Sequence, residues 1–249
     1  MRILISGLGG HMGAEVEKLC AAGCRGAEAV AGVDFMGWQN CTLPCAPDFE
    51  SARTDVDCIV DFSHHSCTDA LLAFAKKNAL PLVLATTGQT EEERAAIEAA
   101  AKEIPIFFAA NFSLGVALLI ELAKKAAAAM PDAEIEIIEK HHDRKVDAPS
   151  GTALAIARAI QTVRPNATIV TGRSGMAKRT KEEIGIHAIR MGNFAGEHEV
   201  LIGTNSQTIT LKHEAHSRAL FAEGALAAAE FLCGKGPGLY QMQDLLSDD

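Results

Sequence analysis

A chain of 249 residues, 48% apolar and 22% charged, has the size and composition of one large or two modest globular domains with a real core. Its formal net charge of −9 argues against a phosphate-backbone partner but not against a small anionic substrate, because local charge in a cleft outweighs the total. No apolar run is long enough to span a membrane, MRILISGLGG lacks the apolar stretch of a signal peptide, and seven scattered cysteines fit a reducing cytoplasm better than a disulfide framework.

Up to about residue 112, apolar runs alternate with helical patterns. RILIS predicts a first strand, GAEVEKLCAA a helix, and AVAGVD a second strand that ends on Asp34. DCIVDFS, LPLVLATT and IPIFFAAN predict three more strands, separated by helices over TDALLAFAKKNA and EEERAAIEAAAKE. Strands with little alternation, divided by helices, imply a parallel sheet covered on both faces: a doubly wound α/β domain of Rossmann type. The pairs Cys20/Cys24 and Cys41/Cys45 have no histidine beside them, so no metal site is expected.

Beyond Asn111 the rhythm changes. SLGVALLIELAKKAAAAM predicts one long helix, AEIEIIEKHH alternates as a strand does, and GTALAIARAIQTV predicts another helix. Residues 171–183 are basic, Gly-containing and aperiodic, and predict a loop. GIHAIRMG, GEHEVLIGT and QTITLKHEA predict three successive strands. This order suggests an α+β domain with a mixed sheet over residues 113–217, its last strands forming a meander. The helix SRALFAEGALAAAEFLC suits packing back onto the first domain, so residues 218–249 are expected to join residues 1–112. Two domains with a cleft also suggest closure on binding, with joints near residues 111–113 and 216–218.

SGLGGHMG follows the first strand and opens a helix, with glycines at Gly7, Gly9, Gly10 and Gly13. Glycine lets the backbone turn tightly against a pyrophosphate, and the helix start supplies amide donors. Asp34, at the end of the next strand, can accept the hydroxyls of an adenosine ribose. FMGWQN follows it without Arg or Lys. A 2′-phosphate beside that carboxylate would be repelled by about 4 kcal/mol per charge pair at about 4 Å in an effective dielectric of about 20. NADH is therefore expected over NADPH. Ala85, Thr86 and Thr87, and Ala109, Ala110, Asn111 and Phe112, end the fourth and fifth strands, where ligands of such sheets bind.

The segment EKHHDRKVDAPSGTAL places His141, His142 and Lys145 between a strand and a helix start. Pro149 stiffens the approach to that helix. The amides of Gly151 and Thr152, with the hydroxyls of Ser150 and Thr152, form a potential carboxylate site. Two imidazoles and an ammonium beside it suit binding a carboxylated substrate and giving it a proton. The residues alone leave open which of Lys145 and His141 gives the proton. They also leave open another two-domain nicotinamide enzyme with a different amino or imino acid substrate, or an NADH-binding sensor without catalysis.

EKHHDRKVDAPSGTA resembles the signature of the dihydrodipicolinate reductase family, and the resemblance extends in order through GLGGHMG, DFSHH, ATTG, AANFSLGV and IRMGNFAGEHEV. It implies a nicotinamide-dependent reduction of a cyclic dicarboxylate to tetrahydrodipicolinate, a step of diaminopimelate and lysine biosynthesis, by a homotetramer built through the second domain's sheet. By position, it implies that His141 and Lys145 handle protons and that His142, Gly151 and Thr152 touch substrate. It assigns cofactor contacts to Gly7, Leu8, Gly9, Gly10, His11, Met12 and Asp34, to residues 85–87 and to residues 109–112. His11 and Phe35 stand where many members carry arginine, which agrees with the expectation of NADH.

Overall fold

The computed structural model describes residues 1–247. They fall into two compact units: Met1–Ser113 with the chain from Ala219 onward, and Leu114–Arg218.

The first unit is built on a seven-stranded sheet. Its strands are β1 (Arg2–Ser6), β2 (Glu28–Val33), β3 (Cys45–Ala46), β4 (Cys58–Asp61), β5 (Leu82–Leu84), β6 (Pro105–Phe108) and β12 (Gly238–Tyr240). They lie side by side as β3-β2-β1-β4-β5-β6-β12, every pair parallel. This is the doubly wound order, whose direction of travel reverses between β1 and β4. Ile3, Leu4 and Ile5 are all fully buried, as the continuous apolar run requires when both faces are covered. One face is covered by the helices α2 (Thr68–Lys77) and α3 (Glu91–Ala100), whose Leu71, Leu72, Ala75 and Ile97 join the core of Leu4, Ile59, Leu82 and Ile106. Thr90 and Glu93 close a reciprocal capping box at the start of α3. On the sheet also lie α1 (His11–Ala21) and α6 (Ala219–Leu232), the latter touching α1, β4, β5 and β6. β3 and β12, with two and three residues, have no counterpart in the sequence-based expectation.

The second unit holds α4 (Leu114–Ala129), β7 (Glu134–His141), α5 (Gly151–Val163), β8 (Thr168–Thr171), β9 (Glu183–Arg190), β10 (Glu197–Gly203) and β11 (Thr208–Glu214). Its sheet order is β11-β10-β7-β9-β8. The expected mixed sheet is present, but the expected meander is not. β10 and β11 form a hairpin, whereas β9 pairs in parallel with β7 and β8, so β7 separates β9 from β10. β7 alternates strictly: Ile135, Ile137, Glu139 and His141 are buried on one face, against α4 and α5. Apolar residues form that face until its last two positions, where a carboxylate and an imidazole take their place.

Gly224 of α6 is a test of how closely that helix lies on the segment that follows β6. A Cβ there would stand 1.7 Å from the carbonyl oxygen of Phe112, a backbone atom that no rotamer change moves aside. Alanine favours a helix interior over glycine by about 1 kcal/mol, yet Gly224→Ala is expected to destabilise by about 1–3 kcal/mol through overpacking. A lowered urea midpoint is the expected result; a midpoint unchanged or raised would contradict the close approach.

Candidate active site

Where β1 ends, the chain turns sharply into α1. Gly7 has φ +82°, and a Cβ on it would meet the Phe62 carbonyl oxygen at 2.7 Å, so glycine is required on both counts. The turn is bound to the end of β2: the Gly7 amide donates to the Val33 carbonyl at 2.8 Å, and the Gly9 amide to Asp34 Oδ2 at 2.9 Å. The other oxygen of Asp34 accepts from the amides of Met36 (3.0 Å) and Gly37 (2.6 Å). Three backbone donors thus hold the carboxylate in place beside the glycine turn. A cavity of about 780 Å³ opens there, bordered by Gly7, Gly9, Gly10 and Asp34, with no Lys or Arg among the described residues around it.

A second cavity of about 450 Å³ lies over the ends of β5 and β6, bordered by Met12, Ala85, Thr86, Thr87, Ala110, Asn111 and Phe112. Phe62, Ser63 and His64 border both cavities. They follow β4 at the reversal point of the sheet, where ligands of such folds bind; the expected list omitted them. Leu8, His11 and Ala109, which it included, border neither cavity. The Leu8 side chain is buried beneath the turn, packed where a Cβ on Gly32 would stand, so only its backbone is placed to meet a ligand.

Beneath the second cavity is Asp61, 1% exposed. Its oxygens accept from the hydroxyls of Ser63 and Thr86, each at 2.6 Å. Burial pushes the Asp61 carboxyl above the usual range, and these neutral donors only partly oppose it. The carboxyl fixes two cavity-lining residues from below.

In the second unit, β7 ends in a polar cluster. Glu139 is fully buried and accepts four hydrogen bonds: from His141 Nδ1 at 2.6 Å, from the two terminal nitrogens of Arg190 at 2.8 and 2.7 Å, and from the Ser150 amide at 3.0 Å. Burial alone would raise the Glu139 carboxyl, but the bonds from His141, Arg190 and Ser150 outweigh it and hold the group at about 2. Arg190 also donates to the Asp147 carbonyl at 2.6 Å, tying down the loop that carries Lys145. Lys145 Nζ lies 2.8 Å from Asp147 Oδ1.

α5 starts where the pattern predicts, with Ser150 as its N-cap: the hydroxyl accepts from the Ala153 amide at 3.2 Å. The same hydroxyl is 3.1 Å from His198 Nε2 and is buried. Ser150, expected to touch substrate, thus has its hydroxyl and its amide engaged within the protein. Gly151 is exposed, with open space where a Cβ would stand, and Thr152 is half-buried beside it. His142 is half-buried; burial, then the charges of Arg144 and Arg218, hold its imidazole below the ordinary histidine value. His198, not among the expected site residues, packs edge-on to His141 with ring centres 5.2 Å apart, and burial pushes it down to about 4. Among the described residues no group of three or more His, Cys, Asp or Glu is arranged to hold a metal ion.

Comparison with known proteins agrees with both halves. Residues 1–112 match the family described as dihydrodipicolinate reductase, N-terminus, and residues 115–246 the one described as dihydrodipicolinate reductase, C-terminus. The chain is 46% identical over 248 residues to a 4-hydroxy-tetrahydrodipicolinate reductase of Caldanaerobacter subterraneus subsp. tengcongensis, covering 99% of this chain and 98% of the relative. It is 40% identical over 247 residues to the same enzyme of Clostridium novyi, covering 98% of each. Among solved structures, a dipicolinate-bound dihydrodipicolinate reductase from Paenisporosarcina sp. TG-14 superposes with a TM-score of 0.81 at 26% identity, over 97% of both chains. With both family halves matched along nearly its whole length, this chain belongs to the dihydrodipicolinate reductase family.

Proposed function

We propose that this chain is a 4-hydroxy-tetrahydrodipicolinate reductase, reducing a cyclic dicarboxylate to tetrahydrodipicolinate with NADH as the preferred cofactor. The observation that carries the reading is local: the segment from His141 to Thr152 joins a histidine held by a buried carboxylate to the open first turn of α5. The residues of the first unit fit a dinucleotide. The turn at Gly7 admits no side chain, and Asp34 stands fixed at its rim. We assign Gly7, Gly9, Gly10 and Asp34 to the adenosine and pyrophosphate portion, and Met12, Ala85, Thr86, Thr87, Ala110, Asn111 and Phe112 to the nicotinamide end. When bound, that group supplies the hydride.

The second unit's residues do the rest. Gly151, Thr152 and His142 bind the substrate carboxylates; amide donors at a helix start and a positive dipole end suit an anion there. Lys145 is paired with half-exposed Asp147. Pairs of that kind contribute only about 0–1 kcal/mol, so the ammonium exchanges easily onto a substrate carboxylate. Lys145 and His141 are the proton carriers. Hydride transfer requires the two units' ligands to meet during turnover, so we assign residues 1–112 with 218–249 to the dinucleotide and residues 113–217 to substrate and assembly. Seven free thiols support a reducing, cytoplasmic setting, and the family resemblance supports a homotetramer.

The decisive assay mixes purified protein with NADH and the product of dihydrodipicolinate synthase. Rapid loss of nicotinamide absorbance is expected, and its absence would refute the assignment. Lys145→Ala and His141→Ala should each lower kcat by about 10²–10⁴-fold, the usual worth of general acid catalysis, with circular dichroism unchanged. Near-full activity in both would remove them as proton carriers. For the cofactor, kcat/KM should favour NADH over NADPH, because Asp34 is fixed by three amides and no Lys or Arg among the described residues borders its cavity. A clear NADPH preference would overturn that choice. Sedimentation of the untagged protein should give the mass of four chains.

A further inference from the structure

We propose that Glu139 and Arg190 are positioning residues for His141, locking its imidazole in the tautomer with the proton on Nδ1 and leaving Nε2 as the nitrogen that exchanges a proton with substrate. The inference rests on the reading of His141 as a proton carrier and adds how that carrier is set.

The argument starts from acceptor counting. An ionised carboxylate offers about four lone-pair positions. Those of Glu139 are all taken, two on each oxygen: His141 Nδ1 and one Arg190 nitrogen on Oε2, the other Arg190 nitrogen and the Ser150 amide on Oε1. Held at about 2, the carboxyl stays ionised throughout the neutral range and has no proton to give. A group that only accepts, 2.6 Å from Nδ1, requires the proton on Nδ1; the other tautomer would face a lone pair with a carboxylate oxygen. The neutral ring then keeps its lone pair on Nε2, and the imidazolium carries its transferable proton there.

The surroundings keep this choice intact. Arg190 forks onto both oxygens of Glu139, which fixes the carboxylate plane and therefore the direction of the bond to His141. His198, the other ring against His141, is held neutral by burial and anchored by Ser150, so it adds no charge that would oppose an imidazolium. The register makes the arrangement rigid: Glu139 lies opposite His198 on β10, and His141 opposite Arg190 on β9. Arg190 reaches the Asp147 carbonyl as well, so the same guanidinium sets the loop bearing Lys145.

The test is the nitrogen-15 spectrum of the His141 imidazole in the full-length unliganded protein, at a pH where the ring is neutral. Protonation at Nδ1 is the expected result, and protonation at Nε2 overturns the proposal without any variant. In Glu139→Gln, the ring should move toward the Nε2-protonated form and kcat should fall by about 10²-fold, within the range of acid–base catalysis, while KM changes by less than about threefold. A Glu139→Gln enzyme that keeps kcat within about threefold, where His141→Ala does not, overturns the positioning role and leaves the proton-carrier reading standing. Full activity in His141→Ala overturns both. Should Glu139→Gln fail to fold, the wild-type spectrum alone decides.

Discussion

A carboxylate without water has to be matched, and in the second unit that requirement organises everything near the candidate site. Burying an ion costs several kcal/mol, and removing one partner of a buried pair costs about 3–5 kcal/mol. Glu139 meets the requirement with donors from three elements: its own strand through His141, β9 through Arg190, and the start of α5 through the Ser150 amide. Those three elements can supply donors only if β9 lies beside β7 and α5 begins just above its end. The parallel pairing of β7 with β9, which interrupts the run of successive strands, is therefore what brings Arg190 within reach.

How much of this can be read from sequence depends on whether the signal is local. The strands of the first unit are legible because burial on both faces leaves unbroken apolar runs such as RILIS, and α5 is legible to the residue because Ser150 caps it. β3 is a two-residue pairing in a Pro-containing loop, and β8 spells TIVT beside a basic stretch; neither has the length to show a period. The order of strands in the mixed sheet is illegible for a different reason. Three successive alternating segments look alike whether they pair as a meander or, as here, one of them passes to the far side of β7.

The site divides along the same line. His141, His142, Lys145 and the helix start stand together in one short segment, so their juxtaposition is visible in the letters. Arg190 and His198 are distant in the chain and matter only through register, which places them opposite His141 and Glu139. Ser150 shows the limit from the other side: a serine at a helix start can offer its hydroxyl to a ligand or cap the backbone, and here the buried hydroxyl caps α5. Leu8 likewise sits in the glycine turn by sequence, yet its side chain is drawn under the turn by the space above Gly32.

The two units each bury a carboxylate near a candidate binding surface, and the contrast between them is chemically informative. Burial raises the proton affinity of Asp61, and its neutral hydroxyl partners only partly oppose it; burial would raise that of Glu139 too, but an imidazole, a guanidinium and an amide outweigh it and the affinity falls. A group meant to orient hydroxyl-bearing residues such as Ser63 and Thr86 works as an acceptor in either state for at least one of them, so its charge is of little consequence. A group meant to fix an imidazole tautomer must never become a donor itself, because a proton shuttling onto the carboxyl would let the ring release Nδ1–H. The guanidinium beside Glu139 opposes that transfer, and so the charge on Arg190 serves the tautomer of His141 as well as the burial of the carboxylate.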